Sequence, residues 1–157
     1  DNPESETVLF KEKFDLVGGY AKFSPAHFSH AAELPDEEFP LVLITGRQLE
    51  HWHTGTMTRR SSTLDALEPH PMISVSPTDL LNSGFQENDM ISLISRRGSI
   101  TAQVKSDEGL QEGNVFMPFC YAEAAVNLLT ISAIDPIGKI PEFKHCAVRI
   151  EKPPTLS

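Results

Sequence analysis

A chain of 157 residues with 39% hydrophobic and 22% charged residues has the composition of one folded domain with its own core, not of a disordered segment. Its formal charge of −9 excludes generic nucleic-acid binding, and no apolar run is long enough to span a membrane or to act as a secretory signal. That charge is uneven: residues 1–38 hold nine acids against three bases, whereas residues 41–60 hold three arginines and one acid, a local positive site where an anion can be focused.

Residues 1–38 read as an N-terminal arm or linker, partly ordered. Phe10, Phe14, Tyr20 and Phe23 offer it apolar surface to pack, Gly18-Gly19 makes a hairpin-like turn, and residues 31–38 form an acidic connection. A domain is expected over 39–152, with 153–157 as a tail. The run Leu41-Val42-Leu43-Ile44 reads as a buried strand ending at Thr45. Ser62 to Leu67 forms a short helix stopped by Pro69, and Met72 to Val75 a second strand. Ser76-Pro77-Thr78-Asp79 starts a helix with a hydroxyl cap, a proline in the first turn and an acid that completes the cap; Gly84 ends it. Met90 to Ser95 and Ile100 to Val104 make the clearest hairpin, with Arg96 and Arg97 solvated at its tip. A strand over Val115 to Phe119, a helix over 122–130 interrupted by Asn127, a turn at Asp135-Pro136 and a last strand from Cys146 to Ile150 complete the chain. Cys120 and Cys146 match no metal-ligand or disulfide spacing and read as small buried residues. Short strands, tight turns and a few short helices predict a mainly β fold of α+β type, a closed barrel with helices at its ends.

The chemistry concentrates in Thr45-Gly46-Arg47-Gln48-Leu49-Glu50-His51-Trp52-His53-Thr54-Gly55-Thr56-Met57-Thr58 and the two arginines that follow. Gly46 and Gly55 let backbone approach a ligand closely. Thr54, Thr56 and Thr58 supply hydroxyls, while Arg47, Arg59 and Arg60 supply fixed forks for phosphate or carboxylate. The competing reading is a polar surface loop with solvated arginines. Trp52 fits either a core position or a flat wall for a heterocycle. His51 and His53 alternate as paired metal ligands do, but no third ligand follows at sensible spacing, so no metal site is expected in this chain.

Residues 49–60 resemble the cofactor loop of the oxidoreductases that carry bis-molybdopterin guanine dinucleotide, in the C-terminal dinucleotide-binding domain of their large subunit. Two further segments carry the likeness. Val115-Phe116-Met117-Pro118-Phe119 with Asn127 resembles the second cofactor segment, and Phe143-Lys144-His145-Cys146 with the strand after it resembles the last. The resemblance spans about residues 39–152 and implies a double-psi β-barrel. It further implies that Phe119, Asn127 and Lys144 join the 45–58 loop on one face: an aromatic beside the pterin, an amide for its hydrogen-bonding edge and a cation for the diphosphate. The bland alternatives are a core phenylalanine, a backbone-bridging asparagine and a solvated lysine.

By the same resemblance the metal is molybdenum or tungsten. Its cysteine or selenocysteine ligand and a 4Fe-4S cluster belong to preceding domains of the large subunit, and an electron-transfer subunit is the expected partner. Cys120-Tyr121-Ala122-Glu123-Ala124-Ala125 resembles formate dehydrogenase alpha subunits, whereas Leu49-Glu50-His51-Trp52 is similar to nitrate reductases. Formate oxidation to carbon dioxide is therefore the first reading and nitrate reduction the second. A third reading is a stand-alone barrel used as a binding module, because the fold hosts unrelated functions. The expected setting is cytoplasmic, with the periplasm left open. The opening residue is Asp1 rather than Met, so a fragment or processed chain is expected, and one that is inactive alone.

Overall fold

Alternation builds the sheet. In the strand Gly98–Ser106, Ile100, Ala102 and Val104 point inward while their neighbours face solvent, and the preceding strand Met90–Ser95 buries Ile91 and Leu93. The computed structural model describes residues 10–16 and 18–154, so those parts of the arm and tail at 1–9, 17 and 155–157 lie outside the described residues. Six strands, β1 (Leu41–Gly46), β2 (Met72–Val75), β3 (Met90–Ser95), β4 (Gly98–Ser106), β5 (Asn114–Pro118) and β6 (Cys146–Glu151), close into a barrel in the order β1-β5-β2-β4-β3-β6. Pairs β1/β5 and β2/β4 are parallel and the other junctions antiparallel. This is the expected double-psi β-barrel. Leu43, Ile73, Val75, Ile91, Leu93, Val104, Val115 and Met117 are fully buried and fill its interior.

Both α-helices form where the sequence places them. Helix α1 spans Ser62–Leu67 and α2 spans Pro77–Ser83. At α2 the Ser76 hydroxyl accepts from the Asp79 amide (3.1 Å) and donates to its carboxylate (2.7 Å), and Gly84 ends the helix at φ 73°. Asp79 does more than cap: its carboxylate also accepts from the Gly113 amide at 2.8 Å, holding the loop before β5.

Two expectations need correction. Residues 122–130 are not one helix but two 3-10 turns, Ala122–Ala124 and Val126–Leu129, separated by extended backbone at Ala125. Ala124, Val126 and Leu129 are all buried, and their spacing does not fall on one side of a 3.6-residue helix. Arg96 and Arg97 are exposed but not free: both grip Glu33, and Arg96 also pairs with Asp36. The acidic connection is thereby anchored at Glu33, whose side chain is only 9% exposed. Farther out, Phe10 and Phe14 stack on each other with centroids 5.1 Å apart, whereas Tyr20 and Phe23 stay exposed. The Gly18-Gly19 turn is closed by the Gly19 amide donating to the Leu16 carbonyl at 2.8 Å.

Candidate functional site

Strand direction decides where the site lies. Because β1 and β5 run parallel with Gly46 opposite Pro118, the chain leaves both strands at the same end of the barrel. The Phe119 amide extends that ladder by donating to the Gly46 carbonyl at 3.2 Å. Strand β6 runs antiparallel to β1 and begins with Cys146 opposite Leu43, so residues 143–145 approach the same rim. There the Thr45 hydroxyl, fully buried, donates to the Phe143 carbonyl at 2.7 Å. Three segments remote in sequence thus meet on one rim.

The first loop divides into residues that hold its shape and residues that face outward. His51 turns inward and is 2% exposed. Its Nε2 lies 3.0 Å from the Glu68 carbonyl, which also accepts from the Tyr121 hydroxyl at 3.0 Å. A carbonyl only accepts, so Nε2 carries the proton and Nδ1 is left as a buried acceptor without a partner among the described residues. His53 is exposed at φ 49°, so the two histidines do not share a side. Among the described residues no three His, Cys, Asp or Glu side chains cluster as metal ligands.

The loop glycines serve packing. A Cβ on Gly46 would stand 2.3 Å from Phe116 Cε2. Gly55 sits at φ +74° with a would-be Cβ 2.7 Å from the Cys120 carbonyl, so only glycine lets this loop press against the second segment. Arg59, expected to offer its fork to an anion, is already spent. It donates to Asp65 (3.0 Å), Glu123 (2.7 Å) and the Pro69 carbonyl (3.2 Å), and lies over the Tyr121 ring at 4.9 Å. The Glu123 contact, then the one to Asp65, pushes its pKa further up against the effect of burial, so it stays charged. Thr58 is half-spent, accepting from the Trp52 amide at 2.9 Å.

Two concavities open at this loop and rim. One, about 610 Å³, is lined by Arg47, Gln48, Leu49, Glu50, His51, Trp52, Thr58 and Leu64. Trp52 is 58% exposed, with Arg47 5.7 Å from its ring centroid, which excludes the core position. Gln48 donates to Glu50 at 2.7 Å and, as the first cause, holds that carboxyl below its usual range. The second concavity, about 400 Å³, joins the segments: Thr54 from the first, Phe119, Asn127, Thr130 and Ile131 from the second, and Pro141 and Phe143 from the third. Asn127 is exposed there rather than buried in a helix; its carbonyl accepts from the Thr130 hydroxyl at 2.9 Å and its side-chain amide stays open. Thr54 and Thr56 share one hydrogen bond at 2.9 Å and keep further capacity. Met57 and Lys144 are exposed, the lysine directly after Phe143. Sequence reasoning missed Thr130, Ile131, Pro141 and Phe143 as lining residues. Only proximity to Asn127 and Lys144 pointed to them.

A barrel rim that presents hydroxyls, an open amide, an aromatic wall and exposed cations defines a domain that cradles a flat, anionic cofactor. The chain belongs to the molydopterin dinucleotide binding domain family, whose model matches residues 41–147. It is 43% identical over 152 residues to the F420-dependent formate dehydrogenase subunit alpha of Methanocaldococcus jannaschii, covering 97% of this chain and 23% of that protein. It is 40% identical over 145 residues to the F420-dependent formate dehydrogenase 2 subunit alpha of Methanococcus maripaludis, covering 92% and 21%. The chain therefore spans about a quarter or less of these relatives. Its fold is similar to acetylene hydratase from Pelobacter acetylenicus, with a TM-score of 0.68 and 17% identity over 79% of this chain and 21% of that one. The donor set fits a molybdopterin dinucleotide: the open Asn127 amide and Phe119 have the chemistry of a pterin edge and face and share their cavity with the Thr54 hydroxyl, while Arg47 lines the other concavity and Thr56 and Lys144 are exposed.

Proposed function

We propose that this chain is the cofactor-holding domain of a formate dehydrogenase alpha subunit. Residues 39–152 form the domain, and residues 1–38 are the arm arriving from preceding parts of the same large subunit. Resemblance to the two methanogen subunits across nearly the whole chain supports the substrate, and their names extend F420 dependence to the complete enzyme. The bound group, a bis-molybdopterin guanine dinucleotide with molybdenum or tungsten, supplies the two-electron oxidation of formate to carbon dioxide. The metal ligand, a 4Fe-4S cluster and the path to an electron-transfer subunit belong elsewhere in the holoenzyme. This chain's residues bind and orient. Arg47, Thr54, Thr56 and Lys144 neutralise and hydrogen-bond phosphate; Asn127 offers a donor and an acceptor to the pterin, and Phe119 walls its substrate side. The remaining residues of 45–58 shape the rim: Gly46, Gly55 and His51 by packing, and Gln48, Leu49, Glu50, Trp52, His53, Met57 and Thr58 along its surface.

The observation that carries this reading is the single cavity shared by Thr54, Phe119, Asn127 and Phe143 from three separate segments. Its test is made in the holoenzyme. Asn127→Ala and Lys144→Ala are expected to lower bound pterin, measured as its fluorescent oxidation product, severalfold while the thermal midpoint moves little. Both residues are exposed, and neither side chain makes a hydrogen bond or an ion pair among the described residues. Full pterin content in both variants refutes the assignment.

A further inference from the structure

Glu33 is the most heavily engaged side chain outside the rim. One carboxylate oxygen accepts from Arg97 Nη1 (2.8 Å) and Arg96 Nη1 (3.0 Å); the other accepts from Arg97 Nη2 (2.8 Å) and the Ala147 amide (2.9 Å). Its lone pairs are thereby filled, and with 9% exposure it is a structural carboxylate rather than a free acid. Its partners matter more than their number. Arg97, fixed by both fork nitrogens, uses its Nε to donate to the Leu129 carbonyl at 2.8 Å. Leu129 stands between Asn127 and Thr130, so this bond holds one wall of the 400 Å³ cavity. The opposite wall, around Pro141 and Phe143, is held from the same short segment three times. The Ala147 amide meets the Glu33 carboxylate, His145 Nδ1–H donates to the Glu33 carbonyl at 3.1 Å, and the Ala32 amide donates to Glu142 at 2.9 Å. Among the described residues neither 126–131 nor 140–145 belongs to a strand; the Ile131 amide to Cys146 Sγ (3.3 Å), the Glu142 amide to the Ala133 carbonyl (2.9 Å) and a bridge between Ile134 and Pro141 join them directly, and the Glu33 ties add to these few bonds in setting the gap.

We propose that Glu33 is a positioning residue that sets the gap between the two walls of the cofactor cavity, so that the arm preceding the barrel controls cofactor retention without touching the cofactor. This rests on the cofactor reading of the cavity given above. Glu33→Gln keeps the size of the side chain but removes the charge and one acceptor oxygen. Arg97→Lys keeps a cation beside Glu33 but has no Nε–H for Leu129.

The test is hydrogen exchange by mass spectrometry on the holoenzyme, together with pterin content. Glu33→Gln is expected to speed exchange about tenfold or more in both 126–131 and 142–147, leave β1 and β5 unchanged, and lower pterin content severalfold. Arg97→Lys is expected to loosen 126–131 more than 142–147, a wall-by-wall split that general destabilisation does not produce. Glu151→Gln, which loses an exposed pair to Arg149, serves as control and moves neither readout. Unchanged exchange in the two walls overturns the positioning role, as does uniform acceleration that includes β1 and β5. Loosened walls with full pterin content overturn it as well. If Asn127→Ala also retains full pterin, the cofactor reading itself has failed; if only the Glu33 variant does, the positioning role of Glu33 alone is overturned.

Discussion

Acid titration of stability offers a quantitative check on Glu33. The paired Arg97 fork first, against the opposing effect of burial, and then the Ala147 amide and Arg96, lower its pKa from the 4.5 of a free glutamate to about 2. A carboxyl depressed in the folded state stabilises the fold above its unfolded pKa and loses that stabilisation as pH falls through the folded one. At about 1.4 kcal/mol per tenfold change in acidity, the contribution is about 3 kcal/mol at neutral pH and falls to roughly half of that near pH 3. Urea unfolding of wild type and Glu33→Gln, followed by circular dichroism at several pH values, reads this directly. Every other acid titrates in both proteins, so the difference isolates Glu33. The gap in unfolding free energy is expected to hold constant above about pH 5 and to narrow by about half between there and about pH 3. A gap independent of pH refutes the argument that the network acts through the ionised carboxylate.

Gly46→Ala drives a methyl into the Phe116 ring and is expected to cost about 1–3 kcal/mol of stability, measured by thermal unfolding; no loss means that the ring moves freely. Arg59→Ala frees Asp65, Glu123 and the Pro69 carbonyl together and should raise tryptic cleavage after Arg60 severalfold at unchanged barrel circular dichroism; wild-type resistance refutes its role as the loop tie. Burial pushes both Cys120 and Cys146 thiols up, so neither should react with a disulfide reagent at neutral pH until urea unfolds the chain. Rapid labelling of the folded protein counts against the packing described. The chain alone is expected to show no formate or nitrate turnover with added molybdate and an electron acceptor; turnover attributable to it rejects the proposed division of labour.

What the sequence determined by itself was local. Period-two alternation in 98–106, the cap Ser76-Pro77-Thr78-Asp79 and Gly84 act over a few residues, so strands and helices were legible from neighbours alone. The three cofactor-like segments were likewise visible as patterns of residue type. What only tertiary structure decided was pairing and direction. The parallel ladder between β1 and β5 brings the 46–58 loop to Phe119 and Asn127, although about seventy residues separate them, and no local propensity encodes that choice. The same holds for charge. Arg59 and Arg97 looked like free cations because their partners, Glu123 and Glu33, lie 64 residues away in each case. An ion pair across such a distance is formed by the closed barrel, which supplies the geometry and the burial that make it worth forming. The turns at 122–130 failed as a helix for a related reason: burying Ala124, Val126 and Leu129 against the barrel outweighed the intrinsic preference of an alanine-rich stretch.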